Sequence, residues 1–219
     1  MFGRDSGSGS EEFETRRERM VESLVDSDRI ERDSTVEAME TVPRHEFVPE
    51  RRRDDAYADR PLPIGADQTI SAPHMVGIMC DLLELEAGDE VLEVGAGCGY
   101  HAAVTAEIVG NGNVHSVEYV ERLAESARQR LSDLGYDVAV RVGDGREGWP
   151  KHAPYDAAYL TCATASLPDG VVEQLQAGGR IVAPVGTTRQ TMVRATKTTD
   201  GLERESHGAV RFVRMQGDD

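Results

Sequence analysis

Apolar residues in the second half of the chain group into short runs separated by segments with helical spacing. Strand-like runs occupy residues near 90–94, 113–118, 138–142, 156–161, 180–185, 190–196 and 209–213. Apolar positions three or four residues apart mark helices near residues 100–109, 120–134 and 168–176. Strands that alternate with helices pair in parallel and are covered on both faces. The pattern therefore predicts an α/β fold with a doubly wound, mostly parallel sheet of seven strands.

The last strands follow a different rule. Only short turns, at residues 186–189 and 199–201, separate the final three apolar runs. A parallel connection needs a crossover of many residues, whereas a tight turn joins antiparallel neighbours. The C-terminal edge of the sheet is therefore predicted to be antiparallel.

The N-terminal part has its own pattern. Residues 1–10 are rich in glycine and serine and lack apolar periodicity, which predicts a disordered tail. A helical pattern then covers about residues 11–25. A second short helix is predicted to start after Ser34, which has capping-box spacing to Glu37, and to end before Pro43. We expect these two helices to flank the sheet.

Residues 44–73 are predicted to be irregular but ordered, because apolar and aromatic residues occur among the residues that break long elements. Those breakers are Pro49, Pro61, Pro63, Gly65 and Pro73. A helix is predicted over Met75–Leu85, with a buried stripe of Met75, Ile78, Met79, Leu82 and Leu83. One domain is predicted over residues 11–219, with an N-terminal part at 11–74 and a core at 75–219.

The strand at residues 91–94 runs directly into a turn with glycine at alternate positions. Gly95, Gly97 and Gly99 tolerate left-handed backbone and leave room for a ligand to approach the main chain. The turn lies between a strand end and a helix start, where open α/β sheets bind ligands. Nineteen residues after Gly99, Glu118 ends the next strand and can accept hydrogen bonds from both hydroxyls of a ribose. For the turn alone, a tight connection without a ligand is the alternative.

The charge of the chain narrows the choice of partner and environment. The sequence has 40 acidic and 24 basic residues and a formal net charge of −16, and only Lys151 and Lys197 are lysines. This composition is typical of proteins that stay soluble in concentrated salt, where screening suppresses repulsion between acids. We therefore predict a halophilic cytoplasm. Nucleic acid is excluded as the expected partner, because phosphate contacts need basic patches.

Cysteine spacing and hydropathy point to a cytoplasmic protein. Cys80, Cys98 and Cys162 are far apart and form no C-x-x-C pair, so we expect reduced thiols rather than a disulfide or a metal site. No apolar run approaches the roughly 20 residues of a membrane span, and no signal-peptide segment is visible. We expect no membrane contact, and a monomer is the default because no dimer surface is evident.

The spacing of the glycine turn separates two nucleotide-binding families. The dinucleotide fingerprint places its last glycine one residue later than the G-x-G-x-G found here. The turn instead resembles S-adenosylmethionine-dependent methyltransferases. Gly143-Asp144-Gly145, which follows the third strand, stands where the adenine amino group would need an acceptor.

Further stretches resemble the protein-L-isoaspartate O-methyltransferase family over about residues 13–215. Besides the turn they are residues 42–49 (VPRHEFVP), 61–65 (PLPIG), 68–75 (QTISAPHM), 143–145 (GDG), 155–157 (YDA), 178–180 (GGR) and 210–213 (VRFV). The Gln-Thr-Ile-Ser-x-Pro stretch is the most family-specific, because general methyltransferases lack it. The resemblance implies a Rossmann-like methyltransferase fold, S-adenosylmethionine as the methyl donor and S-adenosylhomocysteine as the product.

The resemblance also implies the reaction. The substrates would be isoaspartyl-containing proteins and peptides, methylated on the free carboxylate of L-isoaspartyl, and by extension D-aspartyl, residues. The ester then closes to a succinimide, whose hydrolysis regenerates some normal aspartate. Because a carboxylate is already ionised at neutral pH, the enzyme needs no general base and must instead align the reacting atoms and exclude water.

Matching to the family implies roles for single residues. Ser71 corresponds to the serine beside the methyl donor and is the predicted catalytic residue, with a hydroxyl that orients the carboxylate. The implied donor contacts are Gln68, Thr69, Ile70 and Ser71 along the cleft, Gly95 and Gly97 at the amino-acid portion, Glu118 at the ribose, and Asp144 with Gly145 at the adenine. Read without the resemblance, Ser71 is also a candidate loop or N-cap serine and Asp144 a candidate Asx turn.

Three other side chains near the predicted cleft are open to interpretation. Thr161 ends the fourth strand and could reach substrate or donor. His74 and His101 are expected to cap or pack, because the reaction has no evident step for an imidazole. After Thr161 the family usually carries small residues and then Pro-Glu, whereas residues 162–168 here read Cys-Ala-Thr-Ala-Ser-Leu-Pro. This departure bears on peptide specificity and hardly on donor binding.

Two other functions compete with repair methylation. The first is a methyltransferase of the same scaffold that acts on another protein carboxylate or a small acid, which the altered 162–166 stretch suggests. The second is a protein that binds the donor and recognises damaged chains without catalysis. Ser71 and the complete donor set favour catalysis.

Overall fold

The computed structural model describes residues 6–217, with side chains from residue 11 onward. In these residues the helices are α1 Ser6–Asp26, α2 Asp33–Thr41, α3 Pro73–Leu83, α4 Tyr100–Val109, α5 Glu121–Asp133 and α6 Asp169–Glu173. The strands are β1 Leu62–Gly65, β2 Gln68–Ile70, β3 Val91–Val94, β4 Val114–Glu118, β5 Val138–Val142, β6 Tyr155–Leu160, β7 Leu175–Val185, β8 Gln190–Thr198 and β9 Gly201–Val210. Short 3₁₀ turns cover Arg44–Phe47, Glu50–Asp55, Gly145–Glu147 and Pro150–His152.

Across residues 6–217 the main sheet has seven strands in the order β5-β4-β3-β6-β7-β8-β9. The first five are parallel, and β8 and β9 are antiparallel to their neighbours. Both features confirm the predicted doubly wound sheet with an antiparallel C-terminal edge. β1 and β2 form a separate hairpin.

The central strands are apolar because both faces of the sheet are covered. Every residue of β3 and β4 is buried. Val91 faces the core formed with α3, α4 and α5, whereas Leu92 and Val94 face the core beneath α6. Burial on both faces favours apolar residues in these strands, and polar residues that occur there, such as Glu93 and Ser116, are hydrogen-bonded to each other.

The N-terminal predictions are partly wrong. α1 begins at Ser6, so residues 6–10 are helical, whereas residues 1–5 lie outside the described residues. Extending an existing helix costs far less than starting one. The capping box is also wrong: α2 begins at Asp33 with Arg32 as its N-cap, and Ser34 lies inside the helix. The Asp81 carboxylate, distant in sequence, accepts hydrogen bonds from the backbone N–H groups of Glu31 and Arg32 and so fixes the position at which α2 begins.

The predicted stripe of α3 is rotated in the structure. Met79 and Leu83 are buried as expected, but Met75, Ile78 and Leu82 are only partly so. The buried face instead includes Val76, Gly77 and Cys80. A Cβ on Gly77 would lie 2.3 Å from a methyl carbon of Ile30, in the segment between α1 and α2, so this close contact occurs at a residue that an apolar pattern does not register.

Three C-terminal elements differ clearly from their predicted bounds. β7 begins at Leu175 rather than at residue 180. α6 ends at Glu173, where Lys197 Nζ donates hydrogen bonds to the carbonyls of Val172, Glu173 and Leu175. The last strand is β9 at Gly201–Val210 rather than residues 209–213. Its residues are mostly exposed and include the charged Glu203, Arg204 and Glu205, which protects a sheet edge from pairing with other chains but removes the apolar signal of a strand.

Candidate active site

An open cleft lies at the carboxyl end of β3. β4 and β6 flank this strand, so the cleft lies at the point where successive connections leave in opposite directions, the usual ligand position in open α/β sheets. Its wall contains residues 68–71, 94–98, 100–101, 117–119, 145, 161–162 and 213–216, together with Val76.

The glycine turn has the geometry that its sequence predicts. Gly95 and Gly97 have positive φ values of 100° and 55°. The Thr161 hydroxyl donates a 2.6 Å hydrogen bond to the carbonyl of Gly95, and a Cβ on Gly95 would lie 2.3 Å from that hydroxyl oxygen. Thr161 therefore fixes the turn from the end of β6, and only glycine fits opposite it.

Glu118 closes the other side of the turn. Its side chain is buried, and its two oxygens accept hydrogen bonds from the backbone N–H groups of Gly97 and Val120, at 2.8 and 2.9 Å. Because each carboxylate oxygen has a second lone pair, Glu118 can still accept hydroxyl donors from a ligand. The carboxylate is thus held in place before any ligand binds.

The predicted adenine contacts are only partly in the cleft wall. Gly145 lines the cleft, and a Cβ there would lie 2.2 Å from a methyl carbon of Val94. Asp144 precedes it, caps a 3₁₀ turn through the backbone N–H of Arg146, and pairs with the Arg146 guanidinium at 2.6 Å. The hydrogen bonds from Arg146 hold the pKa of Asp144 below its usual value. The Asx-type interaction is therefore present.

The segment before α3 brings Ser71 to the same cleft. Gln68, Thr69 and Ile70 form β2, and Ser71 follows them on the cleft wall. Ser71 is half-buried, and its hydroxyl forms no hydrogen bond with the described residues. The N-cap residue of α3 is Ala72, so Ser71 is not the cap of this helix. Its hydroxyl is free to donate a hydrogen bond to a ligand.

Both histidines near the cleft have packing or capping contacts, as predicted. Asp59 accepts hydrogen bonds from the backbone N–H of His74 at 2.9 Å and from its ring Nδ1 at 2.7 Å. His101 lines the cleft but is buried, and its ring stacks on Tyr159 with centroids 4.2 Å apart. Burial lowers the pKa of His101 to about 3, so the imidazole is neutral.

A buried acid lies beside the glycine turn. Glu93 on β3 is fully buried and accepts hydrogen bonds from the hydroxyls of Ser116 and Tyr159. Burial raises its pKa to about 7 despite these donors. Sequence reasoning did not single out Glu93, because an acid inside an apolar strand gives no sign of its partners.

The C-terminal segment was also missed as part of the site. Val213, Arg214, Met215 and Gln216 line the cleft. Ala163 holds this segment: its N–H donates to the carbonyl of Val213 and its carbonyl accepts from Met215 N–H, both at 2.8 Å. The departure of residues 162–166 from the family pattern was the only sequence signal for this contact.

Other functional classes find no support in the described part of the chain. Among residues 6–217, no cluster of three or more histidine, cysteine or acidic side chains could hold a metal ion. None of the helices described is both long and apolar enough to cross a bilayer. Cys80, Cys98 and Cys162 form no disulfide with one another.

Comparison with known proteins gives a consistent result. The family described as Protein-L-isoaspartate(D-aspartate) O-methyltransferase (PCMT) matches residues 15–219. Protein-L-isoaspartate O-methyltransferase 2 of Archaeoglobus fulgidus is 52% identical over 210 residues, covering 94% of this chain and 95% of the relative. The Protein-L-isoaspartate O-methyltransferase of Methanopyrus kandleri is 50% identical over 212 residues, covering 94% of each.

Solved structures agree with the sequence relatives. A protein-L-isoaspartate O-methyltransferase, 29% identical, superposes with a TM-score of 0.84 over 92% of this chain, which spans 66% of that protein's length. A Plasmodium falciparum structure, described as a putative protein-L-isoaspartate O-methyltransferase in complex with S-adenosyl-L-homocysteine, superposes with a TM-score of 0.81 over 92% of this chain and 99% of its own. At 21% sequence identity, this superposition supports the fold alone. The chain belongs to the protein-L-isoaspartate(D-aspartate) O-methyltransferase family.

Proposed function

We propose that this protein transfers the methyl group of S-adenosylmethionine to the free carboxylate of L-isoaspartyl residues, and of D-aspartyl residues, in damaged proteins and peptides. Membership of the family supports the reaction. The observation that carries the assignment to this site is a single cleft whose wall contains both the glycine turn with Glu118 and the hydroxyl-bearing Ser71.

The cleft residues fit the methyl donor. The left-handed Gly95 and Gly97 leave backbone open to the amino-acid portion, and the fixed carboxylate of Glu118 can accept the ribose hydroxyls. Gly145 provides a surface for the adenine, and we assign the adenine amino group to Asp144. Residues 68–70 form the wall across the cleft. When bound, S-adenosylmethionine supplies an electrophilic methyl group on a sulfonium centre.

The chemistry asks the protein for alignment rather than proton transfer. A carboxylate oxygen of the substrate takes the methyl group as its bond to sulfur breaks, which neutralises both charges and moves no proton. The Ser71 hydroxyl donates a hydrogen bond to one carboxylate oxygen and leaves the other free to attack. The neutral His101 beside the cleft has no role as a base in this step. Alignment of this kind can account for several orders of magnitude in rate.

The product explains why methylation leads to repair. The backbone nitrogen of the following residue attacks the ester carbonyl, and methoxide leaves with the amide proton as methanol, so a succinimide closes without further help from the enzyme. A free carboxylate offers no comparable leaving group. Hydrolysis of that ring regenerates some normal aspartate. The residues proposed here therefore act only on the first step.

The specificity for the peptide is assigned to the C-terminal segment and the 162–166 stretch that holds it. Thr164 connects the stretch to β7, since its N–H donates to the Pro184 carbonyl at 3.1 Å and its carbonyl accepts from Gly186 N–H at 2.8 Å. A change in this stretch would move the 213–216 wall without touching Glu118 or Gly95. The same scaffold could in this way accept a different carboxylate, which is the second candidate function.

We also propose that the protein works as a monomer in a salt-rich cytoplasm, without nucleic acid or membrane partners. The net charge of −16 and the scarcity of lysine support high salt, and three cysteines that form no disulfide with one another suit a reducing compartment. The melting temperature should rise between about 0.1 M and about 3 M KCl as screening increases. An unchanged or lower melting temperature would contradict the proposal.

The function is tested by methyl incorporation into an isoaspartyl peptide and its normal aspartyl twin in molar KCl. We expect labelling of the isoaspartyl peptide alone. Equal labelling of both, or labelling of neither while small acids are labelled, would favour a redirected methyltransferase. Tight donor binding without any labelling would favour a recognition protein.

A further inference from the structure

Arg44 is a buried cation without an acidic partner. It begins the 3₁₀ turn after α2, its exposed fraction is 0%, and it forms no salt bridge with any residue between 11 and 217. Burial lowers the pKa of its guanidinium below the ordinary value. Burying an unpaired charge is costly. The contacts that compensate for this cost therefore indicate what Arg44 holds in place.

Those contacts are with backbone carbonyls and one aromatic ring. Nε donates to the carbonyl of Ala56 at 2.8 Å, and Nη2 donates to the carbonyl of Ser71 at 2.7 Å. The guanidinium carbon lies 4.7 Å from the centroid of the Tyr100 ring, at the start of α4. One rigid planar group thus joins two distant backbone segments and rests on the helix that follows the glycine turn.

Ala56 and Ser71 are the two ends of one excursion of the chain. Residues 57–70, here called the hairpin loop, leave the 3₁₀ turn that ends at Asp55, form the β1–β2 hairpin and return to α3. The Arg44 guanidinium binds the carbonyl just before the hairpin loop and the one just after it. It therefore closes the base of the loop.

Other tethers hold the hairpin loop at single points. The Tyr57 hydroxyl lies 2.7 Å from Nδ1 of His45, and Asp59 binds His74. Neither contact reaches Ser71. The hydrogen bond from Arg44 Nη2 to the Ser71 carbonyl does reach this residue. It fixes the orientation of the peptide group that links Ser71 to Ala72.

We propose that Arg44 is a positioning residue for methyl transfer: its guanidinium holds the Ala56 and Ser71 carbonyls together and so aims the Ser71 hydroxyl at the substrate carboxylate. This rests on the proposed role of Ser71. Lysine cannot replace it, because an ammonium group lacks the planar fork that donates in two fixed directions.

The test compares Arg44→Lys and Arg44→Met with Phe47→Leu, in the wild-type and Ser71→Ala backgrounds. Phe47 is buried in the same 3₁₀ turn and packs on Tyr100 with ring centroids 5.6 Å apart, so its variant perturbs the same core but neither carbonyl bond. Three quantities are measured for each folded variant: kcat with an isoaspartyl peptide, the Kd for S-adenosylhomocysteine and the melting temperature.

Arg44→Lys should lower kcat at least about tenfold, leave donor affinity within about threefold, and change kcat less than about threefold when Ser71 is already alanine. Phe47→Leu should keep kcat within about twofold of the wild-type value, at a melting temperature similar to that of Arg44→Lys. The proposal is overturned if Arg44→Lys retains full activity, if its loss is as large without Ser71, or if Phe47→Leu at similar stability loses as much. A wild-type protein that fails to label isoaspartyl peptides would instead contradict the proposed function.

A second measurement needs no variant. In the wild-type protein, the proton on Arg44 Nε should exchange with solvent slowly, at the rate of the most protected amides of residues 57–71, as followed by NMR. This result would support the closed base even if the Arg44 variants fail to fold. Rapid exchange of the Nε proton beside protected amides would show that the guanidinium does not close the loop, and would overturn the proposal.

Discussion

The two walls of the cleft are built in different ways. The sheet wall, residues 94–98 and 117–119, consists of strand ends whose backbone groups bind one another, as in the 2.7 Å bond from Gly95 N–H to the Val117 carbonyl. The loop wall, residues 68–71 and 213–216, is held by distant residues such as Arg44 and Ala163. The sheet wall is therefore ready for a ligand wherever the sheet folds, whereas the loop wall depends on single long-range contacts.

This difference separates binding from turnover. Changes in the sheet wall should weaken the donor complex. Removing the Ser71 hydroxyl from the loop wall, or loosening the contacts that hold Ser71, should leave the donor bound and slow the transfer. The following substitutions test that separation, from the largest expected effect to the smallest.

Glu118→Ala should lower the affinity for S-adenosylhomocysteine at least about 100-fold, because it removes the ribose acceptor and the two hydrogen bonds that hold the backbone N–H groups of Gly97 and Val120. Isothermal titration measures the affinity. Glu121→Ala, at the start of α5, is the control and should change it little. If Glu118→Ala binds the donor within threefold of the wild-type affinity, Glu118 is not part of the donor site.

Gly95→Ala should lower donor affinity about 10- to 100-fold, because a Cβ meets Thr161 Oγ1 at 2.3 Å and the backbone has φ of +100°. Gly88→Ala is the matched control, since Gly88 has φ of +93° and no heavy atom within 4 Å of its Cβ position. It should lose stability but not affinity. Equal loss of affinity in both variants would show that backbone strain, not the shape of the turn, determines donor binding.

Ser71→Ala should lower kcat more than about tenfold while donor affinity stays within about threefold, because one hydrogen bond to the carboxylate is lost. Steady-state rates and donor titration give the two values. Ser132→Ala, at an exposed position of α5 outside the cleft wall, should keep full activity. A Ser71→Ala enzyme with the wild-type rate would exclude Ser71 from the mechanism.

Glu93→Gln should change the pH dependence of stability. The raised pKa of Glu93, about 7, means that the folded protein holds a proton that the unfolded chain releases above about 4.5. The stabilisation that this proton provides is complete below the pKa of Glu93 in the unfolded chain, and it is lost as pH rises through the pKa of Glu93 in the folded protein. Between about pH 5 and about pH 8, the free energy of unfolding of the wild type should therefore fall by on the order of 2 kcal/mol relative to that of Glu93→Gln.

Urea unfolding at the two pH values gives this difference, and Glu121→Gln, at an exposed position, is the control. Parallel pH profiles for Glu93→Gln and the wild type would show that Glu93 titrates normally.

The sheet wall could be predicted because contiguous residues determine it. The predicted strands at 90–94, 113–118 and 138–142 lie within one residue of β3, β4 and β5, and Gly95, Gly97 and Glu118 follow directly from their ends. Buried parallel strands need continuous apolar runs, so the sequence carries a strong local signal.

The loop wall could not be predicted in the same way. Ser71 was found only through its likeness to a family, and residues 213–216 were not found, because their position depends on hydrogen bonds to Ala163 fifty residues away. The rotated stripe of α3 has a similar cause, since Gly77 permits a contact that no apolar pattern records. Contacts between distant residues leave no periodic signal.

A crystal structure with S-adenosylhomocysteine and an isoaspartyl peptide tests the central claim most directly. We predict that the ribose hydroxyls bind Glu118 and that the Ser71 hydroxyl donates to the isoaspartyl carboxylate, which faces the sulfur atom. A ligand bound outside the glycine turn, or a carboxylate out of reach of Ser71, would contradict the account.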